Sequence, residues 1–187
     1  MAAASEAAGR AAVFLDRDGV LNLDVGYAFR VEDLTVLPGV PKALAALKAK
    51  GFLLVVVSNQ SGVARGLYDE AALAAFNAEL QARIVKAGGP PFDDVLWCPH
   101  HPEGKVAAWR ATCDCRKPGI GMITEATRRH GVDLARSWLV GDKYDDVECA
   151  VRAGLRAVQI RGRPGEPRHP KATAHAESLL AATTVIG

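Results

Sequence analysis

No apolar run in this sequence is long enough to cross a bilayer. The longest strand-like one, Phe52 to Val57, spans six residues, against the roughly 20 that a membrane helix needs. Nor does a basic start followed by an apolar core mark the N-terminal stretch MAAASEAAGR. That stretch reads as a flexible tail over residues 1–10 on a cytoplasmic protein. Charge of one sign is missing as well: 23 Lys and Arg face 21 Asp and Glu, a net charge of +2. With no stripe of basic and aromatic residues beside it, that balance argues against a nucleic-acid or membrane partner. No internal repeat appears, and no long apolar heptad pattern, so the expected state is a monomer. There is no Walker loop. GIGMIT (119–124) begins like a dinucleotide fingerprint but lacks its third glycine.

Cysteine is scarce too, with four in 187 residues. Three of them, Cys98, Cys113 and Cys115, fall in one stretch, CPHHPEGKVAAWRATCDC, beside His100 and His101. In an intracellular chain such clustering favours a metal over disulfides. Three thiolates and one imidazole suit a closed tetrahedral zinc site of structural type. The residues alone leave His100 or His101 as the nitrogen ligand. Cys149 stands apart in a helical stretch and reads as core.

What is present is alternation. Short β-branched runs at 11–16, 52–57, 94–98, 137–142 and 155–161 alternate with helical patterns at 40–51, 69–89, 121–131 and 145–154. A last short helix is expected over 174–182. This is the pattern of an α/β fold with a parallel sheet, expected as one domain over residues 11–187. Ligands of such sheets bind at the carboxyl ends of the strands, so the residues after each strand matter most.

The first strand ends in Asp16-Arg17-Asp18-Gly19, the second in Ser58-Asn59-Gln60, and the fourth in Gly141-Asp142. The cysteine loop ends in Arg116 and Lys117. Each feature alone has a bland reading: an acidic turn, a polar loop, a helix cap, two solvated cations. Together they put several carboxylates in one crevice, where a hard cation such as Mg²⁺ would relieve their repulsion and serve phosphate chemistry. The Ser58 hydroxyl and a lysine then suit phosphate oxygens.

In order and residue type these motifs, with Lys117 and Asp146, resemble the haloacid dehalogenase (HAD) superfamily of phosphohydrolases across residues 11–160. The resemblance implies a Rossmann-like parallel sheet with helices on both faces. It makes Asp16 the nucleophile and Asp18 the general acid and base, and it gives Ser58 and Lys117 the transferring phosphoryl group. Mg²⁺ would bind Asp16, Asp18 through its backbone carbonyl, and Asp142. Asp146 would orient Lys117 or the metal shell. About 41 residues separate Asp16 from Ser58 and about 58 separate Ser58 from Lys117. Neither gap holds a cap domain of roughly 50 residues or more beyond its own fold elements.

The cysteine loop narrows the resemblance. CPHHP with CDCRKP, DGVLN, DVGY, SNQSGVARG and GDK is similar to the family of D-glycero-D-manno-heptose-1,7-bisphosphate 7-phosphatases. That likeness makes Cys98, His100, Cys113 and Cys115 the zinc ligands, within a loop over 98–115. It makes Asp24, Val25, Gly26, Tyr27, Ser58, Asn59, Gln60, Ser61, Arg116, Lys117 and Lys143 contacts of a small phosphorylated sugar. Zinc would fix Cys115 and so preorganise Arg116 and Lys117. Two other readings stand beside it: a histidinol-phosphate phosphatase with the same chemistry, and a zinc-stabilised binding module without catalysis.

Overall fold

A computed structural model describes residues 9–187. Six strands form one all-parallel sheet: β1 (Ala12–Leu15), β2 (Leu53–Asn59), β3 (Asp94–Cys98), β4 (Trp138–Gly141), β5 (Arg156–Ile160) and β6 (Ala174–Ala176). Their order across the sheet is β3-β2-β1-β4-β5-β6. The chain first builds outward from β1 to β3, then crosses back to lay β4 against the other side of β1. That reversal opens a crevice at the carboxyl ends of β1 and β4, where α/β sheets take their ligands. The register puts Leu15 opposite both Val56 and Val140. Asp16, Ser58 and Asp142 therefore leave the sheet at nearly one level.

Strand alternation sorts the core into two layers. Val13, Leu15, Leu54, Val56, Val140 and Val158 face α1 (Val40–Ala49), α2 (Glu70–Lys86) and α5 (Leu179–Ala182). Ala12, Phe14, Leu53, Val55, Val57 and Leu139 face α3 (Gly121–His130) and α4 (Tyr144–Ala153). Local sequence explains the helix ends. Asp69 caps α2 by accepting from the Ala72 N–H at 2.8 Å, and Gly131 and Gly154 end α3 and α4 in the left-handed conformation. Between β1 and β2 the described residues hold a loop, a 3-10 turn at Val31–Asp33 and α1.

One expected element differs. Residues 174–176 form an edge strand against β5 rather than the start of a helix, and only Leu179–Ala182 is helical. Helix propensity in this Ala-rich segment gives way to the open ladder of β5. Ser178 then starts the helix by accepting from the Ala181 N–H at 3.2 Å. Of the expected tail, residues 1–8 lie outside the described residues. Arg10 forms a bridge to Val132.

Candidate active site

Asp16 follows β1 directly and is buried. Its Oδ1 accepts from Lys117 Nζ at 2.7 Å. The same ammonium reaches Asp146 Oδ1 at 2.6 Å and the Val57 carbonyl at 2.8 Å, so all three of its donors are used. Asp146, on the first turn of α4, spends its other oxygen on the Lys143 N–H at 3.0 Å. Both Asp146 oxygens are thus engaged, which suits a carboxylate that orients Lys117. Gly141 permits this approach: a Cβ there would lie 2.1 Å from Asp146 Cβ.

Asp142 differs from Asp146. It is buried, and its Oδ1 has no hydrogen-bond partner. Burial, with the nearby Asp16 charge, pushes its carboxyl up to about 7. Burial also pushes Asp16 above the ordinary carboxylate range, against the pull of Lys117. Burial alone would lower Lys117, but Asp146 and Asp16 outweigh it and hold the ammonium above its usual value. The centre is therefore short of positive charge at Asp142. One oxygen each from Asp16, Asp142 and Asp146 lie within 4.8 Å of one another. With Asp146 engaged on both sides, Asp16 and Asp142 are the pair free to take a divalent cation, and oxygen ligands suit Mg²⁺. Gly19 leaves room for the Asp142 carboxylate, which a Cβ at position 19 would meet at 2.3 Å.

The second carboxylate of the DxD pair is held by a separate network. Arg17 is fully buried and grips both Asp18 oxygens, at 3.0 and 2.9 Å. Asn22 Nδ2 donates to Asp18 Oδ1 at 2.8 Å, and Gln60 Nε2 donates to Oδ2 at 2.9 Å. Gln60 Nε2 also reaches Ser58 Oγ at 2.8 Å, while Tyr68 donates to Gln60 Oε1 at 2.7 Å. Asp18 Oδ2 accepts from Gln60, so the Gln60 side chain turns its amide nitrogen toward Asp18 and its oxygen toward Tyr68. Ser58 then accepts from Gln60 and keeps its own proton for another acceptor. Asn59 clamps the Lys117 backbone at both ends, donating to its carbonyl at 3.0 Å and accepting from its N–H at 2.9 Å.

Asp16, Asp18, Ser58, Gln60, Lys117 and Asp146 line a cavity of about 240 Å³ that Asp24, Gly26, Tyr27, Ser61, Arg116 and Lys143 also line, while Asp142 lines neighbouring cavities instead. Arg116 is half-buried and its Nη1 lacks a partner. Lys143 sits 3.5 Å from Asp24. Burial would lower it, but Asp16, Asp142 and Asp24 hold it above its usual value. Val25 is half exposed, on the same loop. The cavity thus joins a buried nucleophile-type carboxylate to an outer ring of cations, an arrangement fit for a substrate with two anionic groups.

The cysteine loop follows β3. Sγ of Cys115 lies 3.1 Å from Sγ of both Cys98 and Cys113, and 3.4 Å from Nδ1 of His100. All four cysteines are free thiols. The donor set is what tetrahedral zinc takes. Burial, with Cys115 beside it, pushes the Cys98 thiol well up, a cost that a bound cation removes by holding the thiolate. The two histidines separate here: the ring nitrogens of His101 meet Arg65 and the Glu103 N–H, each at 3.1 Å, and His100 joins the cysteines.

Arg17, Asn22, Tyr68, Arg65 and Arg163 belong to the site's framework and were not read from the sequence. Arg17 had a signal of a kind, a cation set between two carboxylates in DRDG. Asn22 and Arg65 fall within DGVLN and SNQSGVARG without a role being assigned to them there, and Tyr68 and Arg163 carry no local motif.

Comparison with known proteins adds to the geometry. The family described as HAD-hydrolase-like matches residues 114–182. The chain is 40% identical over 169 residues to the D-glycero-β-D-manno-heptose-1,7-bisphosphate 7-phosphatase of Escherichia coli K12, covering 90% of this chain and 87% of that one. It is 43% identical to the Haemophilus ducreyi enzyme of the same name, over 79% of this chain and 81% of the other. Among solved structures, the D,D-heptose 1,7-bisphosphate phosphatase of B. bronchiseptica, complexed with magnesium and phosphate, superposes with a TM-score of 0.82 at 33% identity. That match covers 94% of this chain and 97% of the other.

Proposed function

The chain belongs to the D-glycero-β-D-manno-heptose-1,7-bisphosphate 7-phosphatase family of HAD-like hydrolases, and on that premise we propose that it is a phosphoric monoester hydrolase removing the C7 phosphate of this sugar bisphosphate, a step toward ADP-heptose for the lipopolysaccharide core. The observation that carries the proposal is the pairing, in one cavity, of the Asp16–Lys117–Asp146 cluster with an Arg116 guanidinium that has an unpartnered nitrogen. A simple phosphatase needs the cluster. A second anion on the substrate gives the arginine its partner, and a planar guanidinium grips phosphate well.

Asp16 would attack the C7 phosphorus in line and form an aspartyl-phosphate. The bond to the C7 oxygen breaks, and that oxygen leaves with a proton from Asp18. Asp18 then takes a proton from water, which displaces Asp16 and releases inorganic phosphate. Mg²⁺, held by Asp16, Asp142 and the Asp18 carbonyl, would supply charge neutralisation for the transferring group. Lys117 shares its charge between Asp16 and the phosphoryl oxygens. Ser58 donates the proton that Gln60 leaves free, and Asp146 keeps Lys117 aimed. Zinc on Cys98, His100, Cys113 and Cys115 would hold the loop whose next two residues are Arg116 and Lys117. Asp24, Val25, Gly26 and Tyr27, with Ser61 and Lys143, form the wall that meets the sugar. The proposal includes monomeric action in the cytoplasm. No described helix is long and apolar enough to cross a membrane.

The test is phosphate release with Mg²⁺ from heptose 1,7-bisphosphate, as both anomers, beside histidinol phosphate. Preference for the bisphosphate with heptose 1-phosphate as product is expected. Preference for histidinol phosphate would overturn the substrate and keep the chemistry. No release from either would leave the binding-module reading in its place.

A further inference from the structure

The loop leaving β5, Pro-rich over 163–170, carries no motif, yet it is firmly seated beside the reaction cavity. Glu166 Oε1 accepts from the Tyr144 N–H at 2.9 Å. The His169 N–H donates to Gln159 Oε1 at 2.7 Å, and Gln159 Nε2 donates to the Pro167 carbonyl at 2.9 Å. Gly162 packs so closely that a Cβ there would lie 2.7 Å from the Asp142 carbonyl oxygen. From this seat Arg163 reaches across to the loop after β1. Its Nη2 meets Asp24 Oδ1 at 2.6 Å. It lines the 240 Å³ cavity and also a neighbouring one of about 440 Å³, so it forms part of the wall between them.

The loop it reaches is tied at its ends, where the Leu23 N–H donates to the Thr35 carbonyl at 2.9 Å and the Ala28 carbonyl accepts from Arg17 at 2.7 Å, and Asp24 holds the stretch between. Leu23 is 48% exposed, Val25 50% and Tyr27 43%, so apolar packing does not set the conformation there. What does is Asp24, whose side chain is only 8% exposed. Its Oδ1 takes both Arg163 and the Gly26 N–H, the latter at 2.8 Å, and its Oδ2 lies 3.5 Å from Lys143. Two cations on opposite sides thus hold one carboxylate. With Arg163 gone, Lys143 is the remaining cation on Asp24, and the carboxylate would be drawn toward the phosphate side of the cavity.

We propose that Arg163 is a positioning residue that sets substrate specificity: by clasping Asp24 it holds the Asp24–Tyr27 loop in the shape that accepts a polyhydroxylated phosphate ester. It acts through Asp24 and not on the reacting phosphoryl group. The inference rests on the reading of that loop as the sugar-facing wall.

The test compares Arg163→Met with the wild type on heptose 1,7-bisphosphate and on p-nitrophenyl phosphate, which has no sugar hydroxyls. The expected result is a loss of about tenfold in kcat/KM for the bisphosphate, carried by KM, with p-nitrophenyl phosphate turnover held within about twofold. Arg163→Lys should recover part of the loss. Asp24→Asn with Arg163→Met should be no worse than Asp24→Asn alone, because a shared role is not additive. Equal losses on both substrates, or additive losses in the double variant, would overturn the proposal. Hydrogen exchange at the Gly26 amide supplies a readout independent of substrate: it should quicken in Arg163→Met, and unchanged exchange also overturns the clasp. A wild type that does not prefer the bisphosphate would count against the proposed function, while the Gly26 exchange would still decide the role of Arg163.

Discussion

At the scale of single residues, the centre is a set of carboxylates that differ by what holds them. Asp16 and Asp146 share Lys117, Asp18 has Arg17, and Asp142 Oδ1 has no partner at all. Removing the charge of Asp16 should therefore stop chemistry without unfolding the site. Asp16→Asn is expected to lose at least about a thousandfold in kcat, since the proposed nucleophile is gone, while the fold and any metal held by the cysteine loop persist. Phosphate release and metal analysis would check both, and retained turnover would remove Asp16 from its role. Asp142 makes a prediction about pH. In the metal-free protein the folded state keeps its proton up to about 7, where an ordinary carboxyl gives it up near 3.8. Between those values the folded form binds more protons than the unfolded one, so Asp142 lowers stability as pH rises through that window and adds no further change above it. Mg²⁺ bound as proposed would take the proton's place. Its effect on the melting temperature should thus be small at pH 5 and clear at pH 8. A shift of equal size at both would contradict the assignment of Asp142 as ligand.

At the scale of elements, the cysteine loop is the least self-supporting part of the site. Between Cys98 and Cys115 its regular structure is a single 3-10 turn, Ala107–Trp109, and its ties elsewhere are few, such as Val106 N–H to the Ala64 carbonyl at 2.9 Å. Yet it delivers Lys117 to the strand tips, where Asn59 clamps the backbone. Structural zinc in small sites can contribute about 10 kcal/mol or more to folding, enough to order such a segment. Cys115→Ser is expected to lose the zinc proposed for this loop, lower the melting temperature and reduce kcat/KM by about tenfold or more, because a small displacement of a positioned charge is costly. Full activity with no zinc bound would show that Asn59 and Asp146 suffice to place Lys117.

At the scale of the whole molecule, two apolar layers press on one parallel sheet, and the site sits on its rim and not within either layer. Stability and catalysis should separate accordingly. Leu54 is fully buried in the layer under α1 and α2. Leu54→Ala is expected to cost about 2–5 kcal/mol in chemical denaturation, with KM and kcat little changed in the fraction that remains folded. A large change in kcat would mean that the sheet transmits core packing to the strand tips. The strand order explains why the tips converge: only β1, flanked by β2 and β4, can bring Asp16 between Ser58 and Asp142.

Much of this was legible because its signals are short. Strands of four to seven residues ending in Asp16, Ser58 and Asp142, and thiols two residues apart at Cys113 and Cys115, are patterns that local geometry preserves. The α/β alternation, the strand-tip carboxylates and the three clustered cysteines stand in the sequence itself. The rest depends on residues far apart in the chain. Whether Ala174–Ala176 is helix or strand turns on the free edge of β5, which no local propensity reports. Which histidine joins the cysteines turns on Arg65, 36 residues before His101. Arg163 meets Asp24 across 139 residues, from a loop whose sequence shows only prolines and charge. Short-range spacing can name the groups that do chemistry, because each is placed by its own strand. Only the packed structure decides what holds them, because those partners are chosen by proximity that the sheet creates.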